Sequence, residues 1–206
     1  MPFILFVLAG IPLPLGIMQV LAVDLGADLL PALALGSEPP EPGIMAQPPR
    51  AAKAHLIDLK VARRFVFLGL LTGGAGLAAY FYAYVTAGWR PGLEMAASGP
   101  LYARATTMCY GGVIAAAAGN ALALRTDRQS LFKIGLFSNR LLLGGLASVA
   151  VVLLALSYTP FLQEIFKTAP LEGRDLLFLL IFPPIQVLAD ELLKAWVRHR
   201  ERRRRE

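Results

Sequence analysis

Long apolar runs alternate with short polar or basic connectors along the whole sequence. Five segments stand out, Ile17–Gly36, Phe65–Ala87, Tyr102–Leu124, Arg140–Tyr158 and Asp175–Val197, preceded by a shorter apolar piece, Pro2–Ile11. A helix needs about 20 residues to cross ~30 Å of hydrocarbon, and four of the five segments reach that length. The fold class this pattern predicts is all-α: a polytopic helical membrane bundle made of one half-helix stub plus five membrane helices. The stub is half a span, since about ten residues at 1.5 Å each cover ~15 Å. Pro12-Leu13-Pro14-Leu15-Gly16 then breaks the helix and turns the chain, because each proline removes a backbone donor and crowds the preceding turn. A helix end left inside lipid strands polar backbone groups, so the stub is read as the stump of a helix whose first half is missing.

Composition agrees with that class. Hydrophobic residues make up 56% of the 206, above the roughly 45–50% of soluble domains, and mean hydropathy is +0.59. The formal charge of +6 does not read as a nucleic-acid surface, because the bases sit between apolar runs and in the tail after Trp196, with few aromatics among them. No nucleic-acid partner is expected; the lipid bilayer is. One group of connectors carries Arg50, Lys53, Lys60, Arg63, Arg64, Arg125, Arg128, Lys133, Arg140, Lys194, Arg198, Arg200 and Arg202 to Arg205. The other carries Arg90, Arg104, Lys167 and Arg174, so sixteen bases stand against four of the chain's 20. Positive-inside asymmetry puts the first group, with the 37–60 loop and the C-terminus, in the cytosol of a multi-pass plasma-membrane protein. No basic residue precedes Arg50, so a signal peptide's charged leading region is missing and no cleavable signal is expected. The single Cys109 cannot form an internal disulfide and reads as a small packing residue. Gly69 to Gly76 holds a small-xxx-small pattern that allows close helix approach within the bundle.

The candidate chemistry lies in Val23-Asp24-Leu25-Gly26-Ala27-Asp28-Leu29-Leu30-Pro31. Asp24 and Asp28, four apart, share a helix face, and each costs roughly 2.5–3.5 kcal/mol near a bilayer centre if uncompensated. Pro31 cannot donate to the carbonyl of Ala27, and with Gly26 alongside, the helix is expected to loosen there. Two carboxylates and the Ala27 carbonyl form an oxygen-only set suited to hard cations such as Na⁺, K⁺ or Ca²⁺. The competing reading protonates the acids or pairs them with a base, and no Lys or Arg lies in a span interior. Asn120 has two open roles, a cation ligand through its side-chain oxygen or an interhelical hydrogen bond. Asp190 and Glu191, with Lys194 four residues after Asp190, read as a solvated ion pair at the end of the last span. The proline-rich loop Ser37 to Arg50, holding Glu38, Glu41 and Arg50, is stiff and directly follows the acidic helix, so it is either a coupling element or a connector.

Residues 11–50, from Ile-Pro-Leu-Pro-Leu-Gly through Asp24-Leu25-Gly26-Ala27-Asp28 to Pro39-Pro40-Glu41-Pro42-Gly43-Ile44-Met45 and Pro48-Pro49-Arg50, resemble the end of the fifth helix, the sixth helix and the next cytosolic loop of type II P-type cation ATPases. Arg125-Thr126-Asp127-Arg128-Gln129-Ser130 and Phe137-Ser138-Asn139-Arg140 are similar to that family's loop between the eighth and ninth helices, and Ser157-Tyr158-Thr159-Pro160 and Asp190-Glu191 to its ninth and tenth helices. The resemblance implies that Asp24 and Asp28 are the sixth-helix cation ligands, with Asp24 closer to sodium/potassium pumps than to calcium pumps. It also implies that Asn120 stands at the eighth-helix ligand position, that Gly73 and Gly74 pack against the fifth helix, and that the 37–50 loop contacts the phosphorylation domain. The transported cation would be Na⁺, K⁺, H⁺ or Ca²⁺; ATP and Mg²⁺ would act only in the domains absent from this sequence, which lacks Asp-Lys-Thr-Gly-Thr. Three departures bear on ion choice: Ala27 replaces the usual Thr, Ala117 a Gln or Glu, and Ser148 and Val149 the ninth-helix acids. The implied divisions are 2–15 stub and turn, 16–36 ion-site helix, 37–60 coupling loop, 61–199 four membrane helices and 200–206 basic tail. The implied partners are the parent pump's phosphorylation domain and first five helices. The rival is a stand-alone regulatory membrane protein or passive cation pathway.

Overall fold

The computed structural model describes residues 2–39, 59–126, 130–135 and 137–203, whose regular structure is all helical, with no strand among them. The first helix, α1, runs Pro2–Ala9 and ends at Gly10, whose φ of 63° lies in the left-handed region that glycine tolerates. After the proline turn, α2 (Ile17–Ala22), a π-helical segment (Val23–Asp28) and α3 (Leu29–Gly36) follow end to end. Together they span ~30 Å. The sequence predicted one loosened helix here, and the loosening takes the form of a widened turn that starts at Val23 and closes just ahead of Pro31.

Next come α4 (Leu59–Thr86), α5 (Gly99–Ala123), the short α6 (Leu131–Ile134), α7 (Arg140–Tyr158), α8 (Pro160–Phe166), α9 (Gly173–Leu179) and α10 (Phe182–Arg203). Three stretches among the described residues, Val61–Thr86, Arg140–Tyr158 and Gly173–His199, are long and apolar enough to cross a membrane. At 25 residues α5 is also long enough, about 37 Å, but it is built from Gly, Ala and Thr and is largely buried. It is the central post. Polar and small residues are tolerated there because the helix faces protein rather than lipid.

The core follows from that composition. Ala75, Ala79, Tyr80, Ala83 and Tyr84 of α4 meet Ala105, Met108, Cys109, Tyr110 and Ile114 of α5, all buried. A side chain at Gly112 would lie 2.7 Å from the Ala75 carbonyl oxygen and 2.9 Å from Ala79 Cβ, so only glycine permits this crossing. The predicted glycine face of α4 divides. Gly76 faces α5, Gly73 is buried, and a Cβ at Gly69 or Gly74 would meet nothing within 4 Å.

The last span, Gly173–His199, carries one interruption: α9 stops at Leu179 and α10 starts at Phe182, because Pro183 and Pro184 lack the N–H groups that would bond back to Leu179 and Leu180. One sequence expectation is corrected. Asp190 and Lys194 are not solvated but 0% and 4% exposed. Arg64, arriving from α4, explains why. It donates to both carboxylate oxygens of Asp190 at 2.7 and 2.9 Å, while Lys194 lies 2.8 Å from the same carboxylate. The two cations also cap the open end of α5. Arg64 donates to the carbonyls of Ala123 and Thr126, and Lys194 to Ala123 O and Thr126 Oγ1.

A second polar cluster closes the opposite end. Arg104 and Asp175 form a two-pronged pair at 2.6 and 3.0 Å, with Asp175 fully buried. Tyr80 and Tyr102 donate to the carbonyls of Pro12 and Leu13, fixing the proline turn against α4 and α5.

Candidate functional site

The site helix is pinned at both ends. Near its start, the buried Gln19 donates to Thr106 Oγ1 at 3.3 Å and to the Lys167 carbonyl at 3.4 Å. Just past its end, Glu38 accepts from Arg125 at 2.6 Å and from Asn139 Nδ2 at 2.5 Å. Burial alone would raise the Glu38 pKa, but the hydrogen bonds from Arg125 and Asn139 and the Arg125 charge outweigh it and hold the carboxyl below its ordinary range. Arg125 also donates to Ser138 Oγ and the Gly135 carbonyl, so α3, the end of α5 and the start of α7 meet here.

Between those pins lies the π-helical segment, with Asp24 on its second residue and Asp28 on its last. A π turn bonds each N–H to the carbonyl five residues back, and single π turns inside α-helices frequently mark functional sites. Pro31 adds to this, since it has no N–H to offer either Ala27 or Gly26. Both carboxylates are exposed at the surface of this chain, and among the described residues neither forms an ion pair.

Asp28 opens onto a cavity of about 460 Å³ bounded by α3, α4, α5 and α7. Its lining is apolar apart from Asp28, Thr72 and Asn120, with Pro31, Ala117 and Val149 among the walls. Ala117 and Val149, at two of the positions where the resemblance implies a polar or acidic residue, line this cavity with apolar side chains. Asp24 is not part of the lining. No group of three or more His, Cys, Asp or Glu side chains occurs among the described residues, so two carboxylates alone do not complete a cage.

Asn120 is engaged between helices. Its Nδ2 donates to Thr72 Oγ1 at 2.8 Å, and its Oδ1 accepts from Gln186 Nε2 at 2.7 Å. Gln186 also lies 3.0 Å from Thr72 Oγ1 and from the Leu68 carbonyl. Thr72 and Gln186 were not singled out from the sequence; the signal was there, as lone polar residues inside apolar helices, but nothing in the one-dimensional pattern joins 72, 120 and 186. Of the proposed loop residues, Glu38 is described above, whereas Glu41 and Arg50 lie outside the described residues.

The family model "Cation transporting ATPase, C-terminus" matches residues 12–196. Calcium-transporting ATPase 1 of Saccharomyces cerevisiae is 33% identical over 188 residues, which cover 91% of this chain and 19% of that protein. Calcium-transporting ATPase type 2C member 2 of Mus musculus is 31% identical, covering 95% and 20%. Potassium-transporting ATPase alpha chain 2 of Oryctolagus cuniculus is 30% identical, covering 76% and 17%. The chain thus spans about a fifth of the length of the curated relatives it matches. An α-helical membrane bundle whose acidic helix is broken beside a proline, matched by the family model over nearly all of its length, belongs to the C-terminal membrane domain family of type II P-type cation-transporting ATPases.

Proposed function

We propose that this chain forms the C-terminal part of the membrane domain of an ATP-driven cation pump. In this reading Asp24, Asp28 and the Ala27 carbonyl supply ligands to the transported cation, and Asn120 borders the site. The supporting observation is the pair of carboxylates on a π-helical turn, inside a membrane span, with no base paired to either among the described residues. Oxygen donors on a widened turn suit a hard cation that binds and leaves, since a permanent ion pair would occupy the charge. Na⁺, K⁺, H⁺ and Ca²⁺ all fit this donor chemistry, and the remaining ligands come from helices outside this sequence.

ATP and Mg²⁺ act elsewhere in the parent pump. In this reading the 37–60 segment, with Glu38, Glu41 and Arg50, carries the motion of the phosphorylation domain to α3; the excess of bases supports a cytosolic position for it and the C-terminus, and the pump is proposed to sit in the plasma membrane. Residues 61–199 supply four membrane helices, and 200–206 form a basic tail. The test is Asp28→Asn in the full-length pump, with ATPase activity titrated against Ca²⁺ and, separately, Na⁺ with K⁺. Loss of one charged ligand is expected to weaken apparent cation affinity by about tenfold or more. Wild-type cation dependence in that variant discards the site.

A further inference from the structure

We propose that Gly145, on α7, is a positioning residue of the cation site; this rests on the functional reading above. One face of α7 runs along the site helix. Asn139 donates to the Ala34 carbonyl at 3.3 Å, Leu142 is buried with Ala34, and Val149, one turn beyond Gly145, lines the cavity into which Asp28 opens. These positions recur every three or four residues, as a single helix face requires.

At the middle of that face the contact is backbone against backbone. A Cβ at Gly145 would lie 3.1 Å from the Pro31 nitrogen, 3.2 Å from the Leu30 carbonyl carbon and 3.3 Å from its oxygen. No rotamer change relieves such an overlap, because none of the three atoms belongs to a side chain; the site helix itself must give by a few tenths of an ångström. Pro31 is also the point least able to resist. Its nitrogen carries no hydrogen, so no intrahelical bond holds it in place, and the seat offered by α7 does so instead. Asp28 lies three residues before Pro31 at the end of the π-helical segment. The size of the residue at 145 therefore sets where the break in the site helix rests, and through it where the Asp28 carboxylate sits relative to the other ligands.

The neighbouring residue provides the control. A Cβ at Gly144 meets nothing within 4 Å, so Gly144→Ala adds the same methyl to the same helix without touching the site helix. The experiment uses the full-length pump in membranes, with ATPase activity titrated separately against Ca²⁺, Na⁺ with K⁺, and H⁺. Gly145→Ala is expected to raise the half-saturating concentration of the effective cation by about three- to tenfold, a fraction of the ~10²-fold cost of a full 1 Å misplacement. Turnover at saturating cation should stay within about twofold of wild type, since no ligand is lost. Gly145→Val should shift half-saturation at least as far as Gly145→Ala, and Gly144→Ala should leave both quantities unchanged.

A merely structural glycine would lower the amount of folded pump without moving half-saturation. Wild-type half-saturation in Gly145→Ala overturns the inference, as does a failure of Gly145→Ala to accumulate in the membrane or an equal shift in Gly144→Ala. If the unmutated pump responds to none of these cations, the functional reading itself falls; if it responds and Gly145→Ala is indistinguishable from it, only the positioning role falls.

Discussion

Asp190 neutralises two cations that have little access to water. Its own side chain is 0% exposed, while Arg64 and Lys194 are 14% and 3% exposed. Both cations are seated against the Asp190 carboxylate, so Asp190→Asn takes that charge away from two largely buried bases at once. Glu191, 3.5 Å from Lys194, is a weak substitute, and its carboxylate already accepts the Leu131 N–H at 2.9 Å. Removing one partner of a buried ion pair typically costs about 3–5 kcal/mol. The carbonyls of Ala123 and Thr126 still accept from the stranded cations, which puts the expected loss near the lower end. For a chain of this size 1 kcal/mol moves Tm by about 2–4 °C, so Asp190→Asn should lower Tm by roughly 6–12 °C. Heating the detergent-solubilised chain and measuring the monodisperse fraction by size-exclusion chromatography reads this directly. Lys194→Met in the Asp190→Asn background removes one of the two bases that lost its partner carboxylate, so the double variant should be less destabilised than the sum of the two single variants by about 1 kcal/mol or more. Additive losses, or an Asp190→Asn that melts within about 2 °C of wild type, would refute the account.

Two further outcomes follow from the packing and the pinning contacts. Gly112→Val drives a side chain into the α4 backbone at Ala75 and should cost about 1–3 kcal/mol or more by overpacking, read as a Tm loss, whereas Gly144→Ala should be silent. Glu38→Gln should destabilise at neutral pH, and the gap from wild type should narrow on acidification. The sign follows from a folded-state pKa held below the ordinary value: the stabilisation is complete above the ordinary glutamate pKa of about 4.3 and is lost as pH falls through the lower folded value. Melting both proteins from pH 7 downward checks it; a gap that widens toward acid contradicts the Arg125 and Asn139 contacts as its source.

The spans, the proline turn after α1 and the loosened turn around Asp24 and Asp28 were legible in the sequence because each has a local cause. Lipid demands length and apolarity, proline removes a donor, and an acid in a span demands an explanation. The end clusters were not legible. Asp190 and Lys194, four apart near a helix end, have the spacing of a solvated pair, and only Arg64, 126 residues away in sequence, turns them into a buried one. Arg104 was counted as a connector base for the same reason, its partner Asp175 being 71 residues away. The glycine pattern was visible but not its division of labour: Gly76 meets α5 and Gly74 faces open space, a distinction of helix rotation that spacing alone does not fix.

The site helix itself yields the last prediction. Within hydrocarbon no hydrophobic force draws helices together, so close backbone contacts and buried polar bonds must supply the cohesion. The site helix has such bonds near its two ends, and among the described residues no side-chain hydrogen bond ties its middle to another helix. Gln19 holds the start against α5 and the turn after α8, and Glu38 holds the far end against Arg125 and Asn139. A rigid rod would share strain between these pins, so cutting one would change the cost of cutting the other. A helix interrupted by a π turn and Pro31 should not transmit that strain. Gln19→Leu is expected to cost about 1–3 kcal/mol through the lost donations to the Thr106 hydroxyl and the Lys167 carbonyl. Its loss and that of Glu38→Gln should then add to within about 0.5 kcal/mol in the double variant, measured by thermal unfolding of the same detergent-solubilised chain. Coupling of about 1 kcal/mol or more would mean that Val23–Asp28 passes strain like an ordinary helix, and the proposed cation site would lose the flexibility that its π turn and Pro31 are argued to supply.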